Sequence, residues 1–153
     1  MSAIASGLGV WSNHVLWLPV VSAIIVQWIK FALFWIRRRR VDFRVFVQPG
    51  GMPSSHSAMV TALATAIGMQ EGVNSSLFAL ACIMAGIVMY DAAGVRRAAG
   101  RQARVLNRIL EDLYRGQPVA EERLRELLGH TPVEVIIGAM LGFLITWGWL
   151  RWM

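Results

Sequence analysis

Charge is scarce in this chain. Only 16% of its 153 residues are charged, where soluble domains average roughly 25%. Hydrophobic residues make up 56%, and mean hydropathy is +0.53. A domain this small exposes a large share of its residues, so a soluble enzyme, a disordered tail and a coiled coil all fit poorly. Cysteine is nearly absent: Cys82 stands alone inside an apolar run. That excludes an intramolecular disulfide and fits a buried, inert thiol. The first 13 residues hold no Lys or Arg, so no cleavable signal peptide is expected and the first apolar span would act as its own anchor. Basic residues are also missing from positions 45–95, where only Glu71 and Asp91 are acidic. What remains is a single membrane-embedded domain over residues 1–153.

The charge that is present is segregated. Of 15 Lys and Arg, five lie in 37–44 and eight in 96–125. The net charge of +6 with a pI near 11 superficially suggests nucleic acid, but such a domain needs a soluble scaffold, and no nucleic-acid partner is expected. Two basic clusters flanking apolar spans read instead as segments facing the anionic cytoplasmic leaflet.

A helix needs about 20 apolar residues to cross a bilayer. Four candidate spans appear, at about 14–36, 56–70, 75–94 and 132–150, the first interrupted by Gln27 and Lys30 and the second short. The fold class expected is all-α: an integral membrane bundle of about four transmembrane helices plus an interfacial amphipathic helix. Trp11, Trp17, Trp147, Trp149 and Trp152 collect at the outer ends of the first and last spans, as an aromatic belt would place them. The basic loops should be cytoplasmic, and the basic-free turn at 70–76 outside with both termini. Ala58, Ala62 and Ala66, beside Ser57, Thr61 and Thr65, place small residues at four-residue spacing, and Gly138 and Gly142 repeat the pattern. Close helix packing within the chain is the favoured reading, with a homodimer seam as the rival. Within a cytoplasmic amphipathic region at about 95–130, Arg97, Arg101, Arg104 and Arg108 share one helical face, away from Val105, Leu106, Ile109 and Leu113. A short helix at about 119–128 should follow.

Three polar patches interrupt this apolar chain. Gly50-Gly51-Met52-Pro53-Ser54-Ser55-His56-Ser57 precedes the second span. Glycines, proline and serines make a capped helix start, and a helix N-terminus suits an anion such as phosphate. His56 in the first turn can give a proton to a leaving oxygen; the plainer reading is an ordinary capped helix. Gly129-His130-Thr131-Pro132-Val133-Glu134 opens the fourth span. His130 and Glu134 share a face, so the carboxylate can fix the imidazole tautomer of a nucleophile or base. Thr131-x-x-Glu134 with Pro132 is equally a capping box, and spacing leaves both readings open. Lys30, seven residues before Arg37, either snorkels to the interface or serves a site. Asp91, near Arg96 and Arg97, poses the same choice between a helix-end ion pair and a supporting role. The topology puts all three patches at one membrane surface, as a metal-free phosphoryl-transfer site would require.

These residues resemble the type-2 phosphatidic acid phosphatase superfamily, relatives of the vanadium haloperoxidases, and in particular its short divergent branch. Lys30-x6-Arg37 has the spacing of the first superfamily motif, Pro53-Ser54-Ser55-His56 resembles the second, and His130-x3-Glu134 resembles the end of the third. The branch resemblance extends over 30–142, including Met89-Tyr90-Asp91-Ala92-Ala93-Gly94-Val95-Arg96-Arg97. Departures are Arg38 for proline, Ser55 for glycine, Glu134 for aspartate, and Leu124 where the third motif's Ser-Arg would stand. Arg96, Arg97, Arg123 and Arg125 are candidates for the missing cation.

The resemblance implies a phosphatase or pyrophosphatase of the bacterial inner membrane that acts on a phospholipid or isoprenyl phosphate. His130 would attack phosphorus, His56 would protonate the leaving group, and Glu134 would orient His130. Lys30, Arg37, Ser54, Ser55 and one of Arg96 and Arg97 would hold the phosphoryl oxygens, with neither metal nor cofactor. A rival of another class is a non-catalytic module that binds anionic lipid heads through its arginine face, at about 1 kcal/mol per cation. A transporter fits less well, because the spans lack the interior ionisable groups of a transport pathway. The topology has a direct test in a Cys82→Ser background. In intact cells Asn74→Cys should react with an impermeant thiol reagent and Gln117→Cys should not; the reverse pattern inverts the assignment.

Overall fold

The computed structural model describes residues 12–46, 51–114 and 129–152, with backbone alone at 95–97 and 111–114. The described residues form five α-helices and one 3-10 turn, without strands. Helix α1 (His14–Arg38) starts at Asn13, whose side chain accepts the Leu16 amide at 3.2 Å. It ends where Arg39 turns left-handed (φ 50°) and donates its N–H to the Trp35 carbonyl at 2.8 Å. The remaining helices are α2 (Ser55–Glu71), α3 (Ser76–Ala93), α4 (Val95–Tyr114) and α5 (Pro132–Trp152).

The connection after α1 folds back along it. The 3-10 turn Phe43–Phe46 is held by Gln27, whose amide nitrogen donates to the carbonyls of Val45 and Phe46, both at 3.1 Å. Phe46 lies edge-on to Trp28 at 5.3 Å and stacks with Phe31 at 5.2 Å; Phe43 stacks with Phe31 at 5.7 Å. Gln27 is eleven residues before the end of α1, so the chain returns about 16 Å along the helix axis. The stretch before α2 then lies against Lys30, whose Cε would be 3.0 Å from a Cβ placed on Gly51. Helix α2 therefore begins well below the end of α1. This explains its length of 17 residues.

Among the described residues, length and composition make three stretches fit to cross a membrane: α1, Ser76–Leu110 and α5. The expected second span forms as α2 but is shorter than these and occupies the middle of the bundle. Ser57, Ala58, Ala62 and Ala66 on α2 are fully buried among α1, α3 and α5. Its contact with α5 is the tightest in the fold. A Cβ on Gly138 would lie 3.0 Å from both the amide nitrogen and carbonyl carbon of Ser54, and one on Gly142 only 2.7 Å from the Cα of Ala58. The four-residue glycine repeat thus packs within the chain. Deeper in the bundle, the hydroxyls of Ser22 on α1 and Thr146 on α5 meet at 3.4 Å, fully buried.

Helix α3 presents Ala81, Ala85 and Ala92 inward and exposes Leu77, Leu80, Ile83, Met84 and Ile87. Cys82 is exposed on this outward side. The expectation of a thiol buried in the protein is corrected, because the apolar run around it lies on the exposed side of α3. The main-chain ladder continues through Gly94 into α4, with Gly94 donating to Tyr90 and Ala98 to Gly94. On α4, Arg101, Arg104 and Arg108 are exposed, and Gly100, Ala103 and Asn107 form the buried line. The short helix expected at about 119–128 lies outside the described residues, as do Arg123 and Arg125.

The α2–α5 contact generates a stability prediction. Gly142→Val must displace the Ala58 backbone, so it should cost about 3 kcal/mol or more, visible as a lower unfolding temperature in detergent. Gly86→Val, where a Cβ meets nothing within 4 Å, should leave that temperature unchanged or raise it.

Candidate functional site

The last turn of α3 and the first turns of α2 and α5 meet at one end of the bundle, with Gly51 before α2 lying against Lys30, about two turns short of the end of α1. Main-chain hydrogen bonds join them. The Ser54 amide donates to the Glu134 carbonyl at 3.1 Å, and the His130 amide donates to the Ala92 carbonyl at 2.9 Å. The residue before α2 and the residues before α5 are thereby held in fixed relation, and the end of α3 is fastened to both.

At the start of α5, the two readings of Thr131-x-x-Glu134 are both satisfied. The Glu134 amide donates to the Thr131 hydroxyl at 3.3 Å, while Glu134 Oε2 accepts the Thr131 amide at 3.1 Å. That is a complete capping box. The same Oε2 lies 3.2 Å from His130 Nδ1. With Nδ1–H donated to the carboxylate, Nε2 carries the lone pair. His130 is buried, at 7% exposure. Burial lowers its pKa below the usual 6.5; the Glu134 carboxylate opposes this, and the charges of Lys30 and His56 add to the depression. Burial thus favours the neutral form of the imidazole.

Lys30, the one lysine of the chain, is 9% exposed within α1. Its stem runs beside Gly51, which has φ +85° and no side chain to obstruct it. Lys30 lines a cavity of about 260 Å³ together with Arg37 on the same face of α1. His56 lies exposed in the first turn of α2, close enough for its charge to act on His130.

The structure divides the two serines before His56. Ser54 is fully buried; its hydroxyl accepts from the amide and the hydroxyl of Ser57, at 3.3 and 3.0 Å. With its own amide committed to Glu134, Ser54 is given to the scaffold rather than to a ligand. Ser55 is only partly buried and sits where the helix end opens. Asp91 stands in the last turn of α3, partly buried, next to the Ala92 carbonyl that holds His130. Arg96 and Arg97 open α4 from the same helix end, and their side chains lie outside the described residues. Among the described residues no group of three or more His, Cys, Asp and Glu could hold a metal ion.

Sequence reasoning missed Gln27 as the latch for the returning connection. Its signal was a lone amide interrupting an apolar span, but the carbonyls it serves are 18 and 19 residues away.

The electrostatics at His130 predict paired shifts of opposite sign. Glu134→Gln removes the charge that favours the imidazolium and should lower the His130 pKa further. Lys30→Met removes a cation and should raise it. An NMR titration of the imidazole ring proton checks both, and shifts of the same sign would contradict the arrangement.

No solved structure matches the chain. It is 41% identical over 146 residues to the uncharacterized membrane protein YuiD of Bacillus subtilis (strain 168), covering 88% of this chain and 92% of that one. A match to the Divergent PAP2 family spans residues 11–145, and with helices fit to cross a membrane and that relative at that identity, the chain belongs to this family of membrane proteins related to the phosphatidic acid phosphatases.

Proposed function

We propose that the protein is a metal-independent lipid phosphatase, hydrolysing a terminal phosphomonoester or pyrophosphate through a phosphohistidine. The observation that carries this reading is the Glu134 Oε2–His130 Nδ1 contact at 3.2 Å, which can fix the tautomer of a buried imidazole that feels the charges of Lys30 and His56. Family membership supports phosphatase-related chemistry.

The steps balance as follows. His130 Nε2 forms a bond to phosphorus as the bond from phosphorus to the lipid oxygen breaks, and His56 gives its proton to that oxygen. Water then attacks phosphorus, His56 takes its proton, and the N–P bond breaks to release phosphate and restore His130. Glu134 remains a carboxylate and stabilises the charge that His130 acquires. Lys30, Arg37 and Ser55, with an arginine from Arg96 or Arg97, neutralise the phosphoryl oxygens; Asp91 supports the α3 end. The basic segments support a site at the cytoplasmic face of the bacterial inner membrane.

The test is phosphate release from lipid phosphates by the full chain in mixed micelles with EDTA present. His130→Ala should lose turnover by several orders of magnitude, and His56→Ala by about 10²–10⁴-fold. A leaving group of low pKa should rescue His56→Ala but not His130→Ala. Glu134→Gln keeps the capping geometry and loses only charge, so a measurable fraction should remain. Vanadate should inhibit, as a mimic of the five-coordinate transition state. Normal turnover in His130→Ala, or a requirement for a divalent metal, would overturn the proposal. If instead reversing Arg101, Arg104 and Arg108 abolishes function while both histidines are dispensable, the protein is an anionic-lipid binding module.

A further inference from the structure

Helix α4 is held to the bundle at one end. Among the described residues it touches α3 and no other helix, and it joins α3 at Gly94, the cap of α3. Its buried line is made of small residues and an amide: Gly100, Ala103 and Asn107. The aliphatic residues of α4 lie elsewhere. Val105, Leu106 and Ile109 are 60%, 49% and 47% exposed, and Arg101, Arg104 and Arg108 are exposed beside them. At about 100° per residue the arginines stand between the buried line and the aliphatic stripe. No acidic residue occurs in 95–110.

An exposed aliphatic stripe edged by arginine fits the boundary of an anionic leaflet. The aliphatic side chains enter the acyl region, while the arginine stems lie along it and lift their guanidinium groups to the lipid phosphates. The stripe also continues the exposed side of α3. Val105 follows Ile87 by eighteen residues, about five helical turns, and Ile87 is 64% exposed on a stretch fit to cross a membrane. Each arginine near an anionic surface favours seating by about fivefold. Three of them separate an anionic from a neutral bilayer by roughly 100-fold.

This surface is joined to the start of α5 by main-chain bonds. Carbonyl groups in the last turn of a helix lack partners within it, and that of Ala92 accepts the His130 amide at 2.9 Å. Gly94 donates to Tyr90 at 2.8 Å and Ala98 to Gly94 at 2.9 Å, so the turns on either side of Ala92 move with α4. We propose that α4 is a lipid-docking arm: its arginine-edged stripe seats on an anionic bilayer surface, and that seating holds the Ala92 carbonyl on the His130 amide. The partner is the membrane surface rather than a substrate molecule, so the inference goes beyond the phosphatase reading and does not depend on it.

The test places the full chain in nanodiscs of phosphatidylcholine, with and without phosphatidylglycerol. In a Cys82→Ser background, a neutral water-soluble maleimide should label Ile109→Cys about tenfold more slowly in the anionic discs. Adding Arg101→Gln and Arg108→Gln should restore the neutral-disc rate. Asn74→Cys, in the exposed turn at the opposite end of α3, should label equally in both. The chain has three histidines, so ¹⁵N-histidine labelling gives three backbone amide signals, and His130→Asn assigns one. Solvent exchange of the His130 amide should be about tenfold slower in the anionic discs, and the double arginine variant should lose that protection. The His14 amide, bonded to the Ser12 carbonyl, should not respond. Equal labelling of position 109 in both discs, as a covering protein or a second copy would give, overturns the docking surface. A His130 amide indifferent to lipid charge overturns the coupling and the proposal with it. Neither readout uses turnover, so failure here leaves the phosphatase mechanism standing, and an inactive protein can still show the docking.

Discussion

The structure depends on how closely α2 and α5 approach each other. With glycine at 138 and 142, the α5 backbone rests on the carbonyl groups of Ser54 and Ala58, one helical turn apart. That approach brings the Ser54 amide within hydrogen-bond distance of the Glu134 carbonyl. The first turn of α2, with Ser55 and His56, is thereby placed beside the first turn of α5, with His130 and Glu134. In lipid, where apolar burial gives little drive to helix association, this close van der Waals contact and its interhelical hydrogen bond replace it. A side chain at either glycine would separate the two helix starts and with them the two histidines.

A second constraint fixes depth. Gln27 holds the returning connection against α1, and Gly51 gives room to the Lys30 stem. Lys30 is therefore recessed roughly two helical turns below the end of α1, in a cavity lined also by Leu33, Phe34 and Met52. Charges work harder there than at an open surface, because water that would screen them is partly excluded. Burial also lowers the His130 pKa, which under the proposed function would leave a neutral imidazole beside the cations proposed to hold phosphate. Glu134 does double duty through a single oxygen, closing the helix cap and orienting His130, which ties the stability of the α5 start to the arrangement of the site.

Much of this was legible in the sequence because it is local. Helix identities followed from apolar runs, and two helix starts from the serines before His56 and from Thr131-x-x-Glu134. The His130–Glu134 pair followed from i, i+4 spacing. The small-residue pattern in 58–66 and at Gly138 and Gly142 marked a close seam, though not which helices share it. What was not legible depends on contacts distant in the chain. Spacing could not decide between cap and catalytic roles for Glu134, since both use the same oxygen. Nothing local separates Ser54 from Ser55; the Glu134 carbonyl 80 residues away in the sequence claims the Ser54 amide. The outward face of Cys82 depended on which side of α3 meets α2, and three outward-facing apolar residues in a row hid that choice. The return of 43–46 along α1 rests on Gln27, which from the sequence was only an interruption.

The central claim is that His130 Nε2 becomes covalently bound to phosphorus, and trapping that bond tests it most directly. Wild-type protein mixed with ³²P-labelled lipid phosphate and quenched in base should retain a label that is stable to base and lost in acid. Mass spectrometry should place that label on the peptide containing His130. A label that persists in His130→Ala, or one that maps to His56 or to a serine, would contradict the account.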